Sequence, residues 1–171
     1  MPQFYFYRIP YIRITLVQVK PTMIKKLDNN NVLIATKMRV IFKESYAVEA
    51  ALLKAVNFPP LQRPLECYIE STTTFFGYHI KDEIVGIIEV SPKEKTTHIN
   101  SLVVSPHFFR QGIGRQLMQH VLQNFSSKVF TVETGLENIP ASKLYTSFHF
   151  KEVKQWDTDH GVRKIRFKLS R

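Results

Sequence analysis

The chain has 171 residues, 44% of them hydrophobic and 22% charged, enough for one domain with a substantial core and too few for two. Its 24 lysines and arginines against 14 acidic residues give a formal charge of +10, which suits a polyanionic ligand; no five basic residues run together and no basic-aromatic alternation repeats, so nucleic-acid binding is disfavoured. The single cysteine, Cys67, excludes an intrachain disulfide and a cysteine-rich zinc site, and no run of about 18 apolar residues is present to span a membrane.

Residues 1–22 carry Phe4, Tyr5, Phe6, Tyr7 and Tyr11 among three prolines, without the charge-first, apolar-core order of a secretory signal. With the lone cysteine this points to the reducing cytoplasm, and the segment reads as an extra edge strand or a product of start-codon choice, the domain proper running over 23–171. A first strand is expected near Ile24. Asn29, Asn30 and Asn31 offer caps for a helix from Val32 through Arg39 and beyond, and Val48, Ala51, Leu52, Ala55 and Val56 are spaced for a second helical stretch ended by Pro59 and Pro60. Residues 65–71 fit either a short helix or a strand. Residues 75–80 and 84–90 flank a polar Lys81-Asp82-Glu83 tip and read as an antiparallel hairpin. Strands are expected at 98–104 and 129–133, and a last hairpin at 151–156 and 163–169, where Ile165, Phe167 and Leu169 alternate.

The chemistry concentrates at residues 103–125, a strand, a glycine turn and a helix. Ile113, Leu117, Val121 and Phe125 recur every fourth residue, with Met118 and Leu122 widening the stripe. A helix start presents unpaired N–H groups and a positive dipole end, and Gly112 and Gly114 remove side chains there while Arg110 and Arg115 add charge. The pattern is an anion site by chemistry. No Gly-x-x-x-x-Gly-Lys-Ser/Thr and no Gly-x-Gly-x-x-Gly after a strand occurs, so the nucleotide-triphosphate and dinucleotide loops are unsupported. Downstream, Pro140 suits a first helical position, and Ala141, Leu144, Tyr145 and Phe148 share one helix face. On spacing alone, Tyr145 reads more readily as a core aromatic than as a catalyst.

Val103-Val104-Ser105-Pro106 followed by Arg110-Gln111-Gly112-Ile113-Gly114 resembles the acetyl-CoA-binding motif of the GCN5-related N-acetyltransferase (GNAT) family, Arg/Gln-x-x-Gly-x-Gly/Ala. The first motif position falls on Phe109, a departure from the family's Arg or Gln. Asn138, Ala141, Leu144, Tyr145 and Phe150 are similar to the second signature, Asn-x-x-Ala-x-x-Leu-Tyr-x-x-x-Gly-Phe, with His149 in the glycine position and a less tight helix end expected there. The resemblance covers about 145 residues from Met23 onward. It implies an α/β fold with a mixed, mostly antiparallel central sheet flanked by helices, in which strands 98–104 and 129–133 form a splayed parallel pair. It implies acetyl-CoA as co-substrate, with no metal. The backbone at Leu102, Val103 and Val104 would align the thioester, the segment Phe109, Arg110, Gln111, Gly112, Ile113, Gly114 and Arg115 would hold the pyrophosphate, and Asn138 and Ser142 would complete the cofactor site.

Transfer to an amine needs a proton acceptor and a donor for the departing thiolate. By resemblance Tyr145 would donate to the sulfur and His98, on one strand face with Asn100, would take the amine proton; Glu133 and Glu89 compete as bases. The other histidines lack metal-ligand spacing. The expected acceptor is a primary amine of a small molecule, peptide or protein, its pocket built from the least patterned parts of the chain, residues 46–67 and the Asp157–Gly161 turn. A CoA-binding sensor or interaction module without turnover is the alternative, kept open by Phe109. Homodimerisation is left open.

Overall fold

A computed structural model describes residues 22–171; the reading of the segment before them lies outside the described residues. Seven strands form one sheet: β1 (Thr22–Lys26), β2 (Thr74–Ile80), β3 (Glu83–Lys93), β4 (Thr96–Val104), β5 (Val129–Gly135), β6 (Lys151–Asp157) and β7 (Arg163–Ser170), in the order β1-β2-β3-β4-β5-β7-β6. Neighbours are antiparallel except β4 and β5, which are parallel. Helices α1 (Val32–Leu52) and α2 (Glu66–Ile69) lie on one face, α3 (Ile113–Asn124) and α4 (Ile139–Ser147) on the other. The expected α/β fold, with its mostly antiparallel sheet and parallel pair, is the observed one.

Each face has its own core. Ile113, Leu117, Met118, Val121 and Leu122 of α3 pack on Val85, Ile88, Val90 and Ile99 and extend to Phe130, Val132, Ile165 and Phe167. Ala35, Met38, Ile41 and Phe42 of α1 pack on Phe75, Ile87 and Val103. Gly86 lets α3 approach β3 closely, because a Cβ there would lie 2.8 Å from Ile113 Cγ2.

Three local readings change. The two helices expected between 32 and 56 are one helix of 21 residues, since no Gly or Pro interrupts 32–52 and Asn31 caps the start. It stops before Ala55 and Val56 because Lys54 turns into the left-handed region at φ 51°, leaving Val56 fully exposed. The ambiguous stretch at 65–71 holds the single turn α2. The end of α4 is tightly turned without glycine: His149 itself adopts φ 65°.

Candidate active site

The parallel pair is short. β4 and β5 are in register only from Thr96–Val129 to Ile99–Val132. At that point β4 bulges: Val90 pairs with Ile99 and Glu89 with Ser101, so Asn100 is left over and donates to Ser91 Oγ at 2.8 Å. Residues 101–104 then stay with β3 while β5 stays with β7, and the strands part.

Two cavities open from the parting. The larger, about 670 Å³, runs between the α1 side chains Ser45, Val48, Glu49 and Leu52, the start of α3 and one side of α4. Of the cofactor residues expected from the sequence, Leu102, Val104, Phe109, Arg110, Gly112, Ile113, Gly114, Arg115, Asn138 and Tyr145 line it. Val103, Gln111 and Ser142 do not: Val103 is buried on the opposite face against α1, Gln111 is exposed, and the buried Ser142 Oγ has no partner.

The start of α3 differs from those of the other long helices. Asn31 Oδ1 accepts from the N–H groups of Leu33 and Ile34 at 2.9 and 3.3 Å, and Asn138 Oδ1 accepts from Ala141 N–H at 3.2 Å. Gly112, at φ 78°, begins α3 with no side-chain cap. Its first-turn N–H groups therefore await an external acceptor. A Cβ on Gly112 would meet no chain atom within 4 Å, so the space before the turn is open. Arg115 is held beside it, donating to Ser147 Oγ at 3.0 Å with its guanidinium 5.1 Å from the Phe148 ring centroid. Open backbone donors, a turn without a side chain and two arginines fit a pyrophosphate.

The smaller cavity, about 350 Å³, is lined by Tyr46, Phe58, Asn100, Glu133, His160 and Lys164, among others. Glu49, Leu102, Asn138, Ala141 and Tyr145 line both cavities. Tyr145 stands at the junction, 4% exposed, with its ring 6.2 Å from that of Phe150 and 5.8 Å from that of Phe167. Burial, reinforced by the negative charge of Glu49, pushes its phenol well above the ordinary range, so it stays protonated at neutral pH. No group among the described residues hydrogen-bonds its hydroxyl, which leaves it free for a ligand.

The three base candidates read from the sequence have different surroundings. Glu89 is 3% exposed and occupied: Arg63 Nη1 donates to it at 2.9 Å, Thr73 Oγ1 at 2.8 Å and Ser101 Oγ at 3.1 Å. Arg63 in turn lies 4.2 Å from the Tyr68 ring centroid, closing a structural ion pair. Glu133 accepts from Arg166 Nε at 2.8 Å and from Lys164 at 3.4 Å. Burial works against its charge, but the bond from Arg166 and the two cations outweigh burial and hold the carboxyl below its ordinary value. His98 Nδ1 lies 2.8 Å from Thr131 Oγ1, and burial lowers its pKa despite nearby Glu133, keeping it neutral. His98 lines neither cavity, whereas Glu133 lines the smaller one.

Sequence reasoning passed over Glu49. It accepts one hydrogen bond, 3.2 Å from Thr134 Oγ1 to its Oε1, and lines both cavities. The signal was hidden because a glutamate beside Val48 and Ala51 on an amphipathic helix reads as part of a solvated face. Tyr46, which donates to Ser101 Oγ at 2.9 Å, begins the 46–67 stretch that the sequence offers for the acceptor pocket and lines the smaller cavity.

The sequence matches the family described as acetyltransferase (GNAT) domain over residues 44–171. It is 30% identical over 141 residues to the UPF0157 protein YqkA of Bacillus subtilis (strain 168); the alignment takes in 82% of this chain, which spans only 41% of that protein's length. In structure it is similar to the ribosomal-protein-S18-alanine N-acetyltransferase of Escherichia coli, with a TM-score of 0.70, 17% identity, and 88% of this chain and 94% of that one covered. The PaiA N-acetyltransferase of Thermoplasma acidophilum, solved in complex with coenzyme A, superposes with a TM-score of 0.66 at 16% identity over 87% of this chain and 99% of its own. These solved structures share the fold.

Proposed function

Because the chain belongs to the GNAT acetyltransferase domain family, we propose that it transfers an acetyl group from acetyl-CoA to a primary amine by direct attack of the nitrogen on the thioester. The observation that carries this reading is the meeting of two cavities at Tyr145, one ending at an uncapped helix start and the other bearing carboxylates.

Acetyl-CoA supplies an already activated acyl group. The chain's part is to orient, to accept a proton and to return one. The N–H groups of 113–115 with Arg110 and Arg115 hold the pyrophosphate, and the unpaired edge of β4 at 101–104 offers backbone groups to the amide-bearing arm. The amine enters through the smaller cavity. Glu49, with a single hydrogen bond and a position at the junction, receives the amine proton directly or through water. Tyr145, kept protonated by burial, gives its proton to the leaving sulfur. Glu133, on the wall of the smaller cavity, fixes Lys164 and Arg166, and His98 stands outside both cavities.

Titration with CoA, followed by a thiol-release assay over a panel of small amines, amino-acid amides and peptides, tests the reading. Amine-dependent thiol release is expected. Binding with no release for any amine would replace it with a CoA-binding module that lacks turnover.

A further inference from the structure

The smaller cavity opens onto an exposed sheet face of unusual charge. On β7, Lys164, Arg166 and Lys168 alternate to one side, opposite the Ile165 and Phe167 that enter the core. The register of β6 against β7 sets Lys151 opposite Lys168, Lys154 opposite Arg166 and Trp156 opposite Lys164, the bulge after Glu152 keeping all three on that side. Five cations thus share one face of a two-stranded ribbon. Glu133 is the one carboxylate among the described residues on this face of β5, β6 and β7. α1 packs on β3 and β4, and Lys151, Lys154 and Lys168 are exposed.

Directly opposed side chains in an antiparallel pair stand about 5 Å apart at Cβ, where like charges repel. Two such pairs, Lys151 with Lys168 and Lys154 with Arg166, leave a positive field that Glu133, bonded to Arg166 and Lys164, offsets only in part. Lys164 belongs to both the ribbon and the cavity wall, so the charged track leads to the point where the amine enters. The track is lysine-rich and offers no free stacking platform: Lys154, Lys164 and Arg166 all lie within 6 Å of the Trp156 ring centroid. Single-strand nucleic-acid sites combine a cationic groove with aromatic rings open to the bases. Carboxylates on an extended chain need only the cations.

We propose that the β6–β7 face binds an acidic polypeptide segment flanking the acceptor amine, and that the acceptor class is therefore an acidic peptide or protein. This rests on reading the smaller cavity as the acceptor site. The test is fluorescence anisotropy with decaglutamate carrying a C-terminal label and a free amino terminus, beside decaserine and a single-stranded uridine decamer, at low and high salt. Decaglutamate binding that salt weakens, with decaserine not bound, is expected. The double variant Lys154→Glu, Lys168→Glu should weaken decaglutamate binding about tenfold or more by removing two attractions and adding two repulsions. Its melting temperature should hold or rise, since each reversal turns a like-charged pair into an opposite one. CoA titration of the same variant should match wild type, because neither lysine lines the larger cavity. Equal decaglutamate affinity in the folded variant, or tighter binding of the uridine decamer than of decaglutamate, would overturn the proposal. Decaglutamate binding in a protein that fails to bind CoA would uphold the face and refute the donor-site reading instead.

Discussion

The two cavities share a wall at Tyr145 but are built on opposite principles. The larger is bounded by a contiguous stretch, the turn into α3, together with α4 and one side of α1; its binding groups are backbone N–H donors freed by an uncapped glycine and two arginines beside them. The smaller draws on α1, the Pro59–Gln62 turn, β4, β5 and the β6–β7 connection, and its polar groups are side chains, Glu49, Asn100, Glu133, His160 and Lys164. Backbone recognition at a helix start suits a ligand part that never varies, such as a pyrophosphate. Side chains held from separate elements suit an acceptor specific to one protein. The comparison predicts that damage on the two sides will have separable signatures.

The largest effect on turnover should come from Tyr145→Phe. The ring keeps its packing against Phe150 and Phe167, CoA affinity is retained, and turnover falls about 100-fold. Because burial raises the phenol, wild-type turnover should show no loss of its acid below about pH 10. A folded variant with wild-type turnover would make Tyr145 a packing residue only.

Glu49→Gln sharpens the distinction from the other side. It keeps the side-chain volume and the contact with Thr134, so CoA should bind as before while turnover drops about 10- to 100-fold. His98→Gln serves as its control, with less than about threefold loss expected, since His98 lines neither cavity. A larger loss for His98→Gln than for Glu49→Gln would return the base role to the histidine.

Glu133→Gln should act on stability more than on rate. The folded carboxyl sits below its ordinary value of 4.5, so the stability from its bonds to Arg166 and Lys164 is present above that pH and lost as pH falls through the folded value. Urea titrations should therefore find the variant less stable at pH 7, with a smaller gap at a pH well below 4.5. An equal gap at both pH values would assign the loss to packing. The smallest effect is at the α4 end, where His149→Gly relieves a left-handed residue worth roughly 1 kcal/mol and should raise the melting temperature by about 2–4 °C.

The same contrast explains what could be read in the sequence. The α3 turn was legible because its binding groups are local: a strand, two glycines, two arginines and a four-residue stripe fall within 103–125. The mostly antiparallel sheet and its parallel pair followed from the family resemblance carried by that stretch and by residues 138–150. Asn138 was legible as a motif residue, and it caps α4 as an asparagine at a helix start should. The smaller cavity was legible only as the stretches 46–67 and 157–161, which supply Tyr46, Glu49, Phe58 and His160, because nothing in the spacing of Glu49, Glu133 and Lys164 says that α1, β5 and β7 converge. The length of α1 was misread for a related reason: hydrophobic spacing locates a helix face but marks its ends weakly, and Lys54 is an unexpected residue in a left-handed turn. His149 likewise shows that a missing glycine need not loosen a helix end when Phe150 is anchored in the core.

The central claim is that the uncapped start of α3 receives the pyrophosphate of CoA. Isothermal titration of CoA into wild type and Gly112→Val tests it most directly. A Cβ there meets no chain atom within 4 Å, although a β-branched residue at φ 78° is strained, so circular dichroism and a melting curve should accompany the titration. The account predicts saturable one-to-one heat for wild type and none for the folded variant; equal CoA affinity in the two would contradict it.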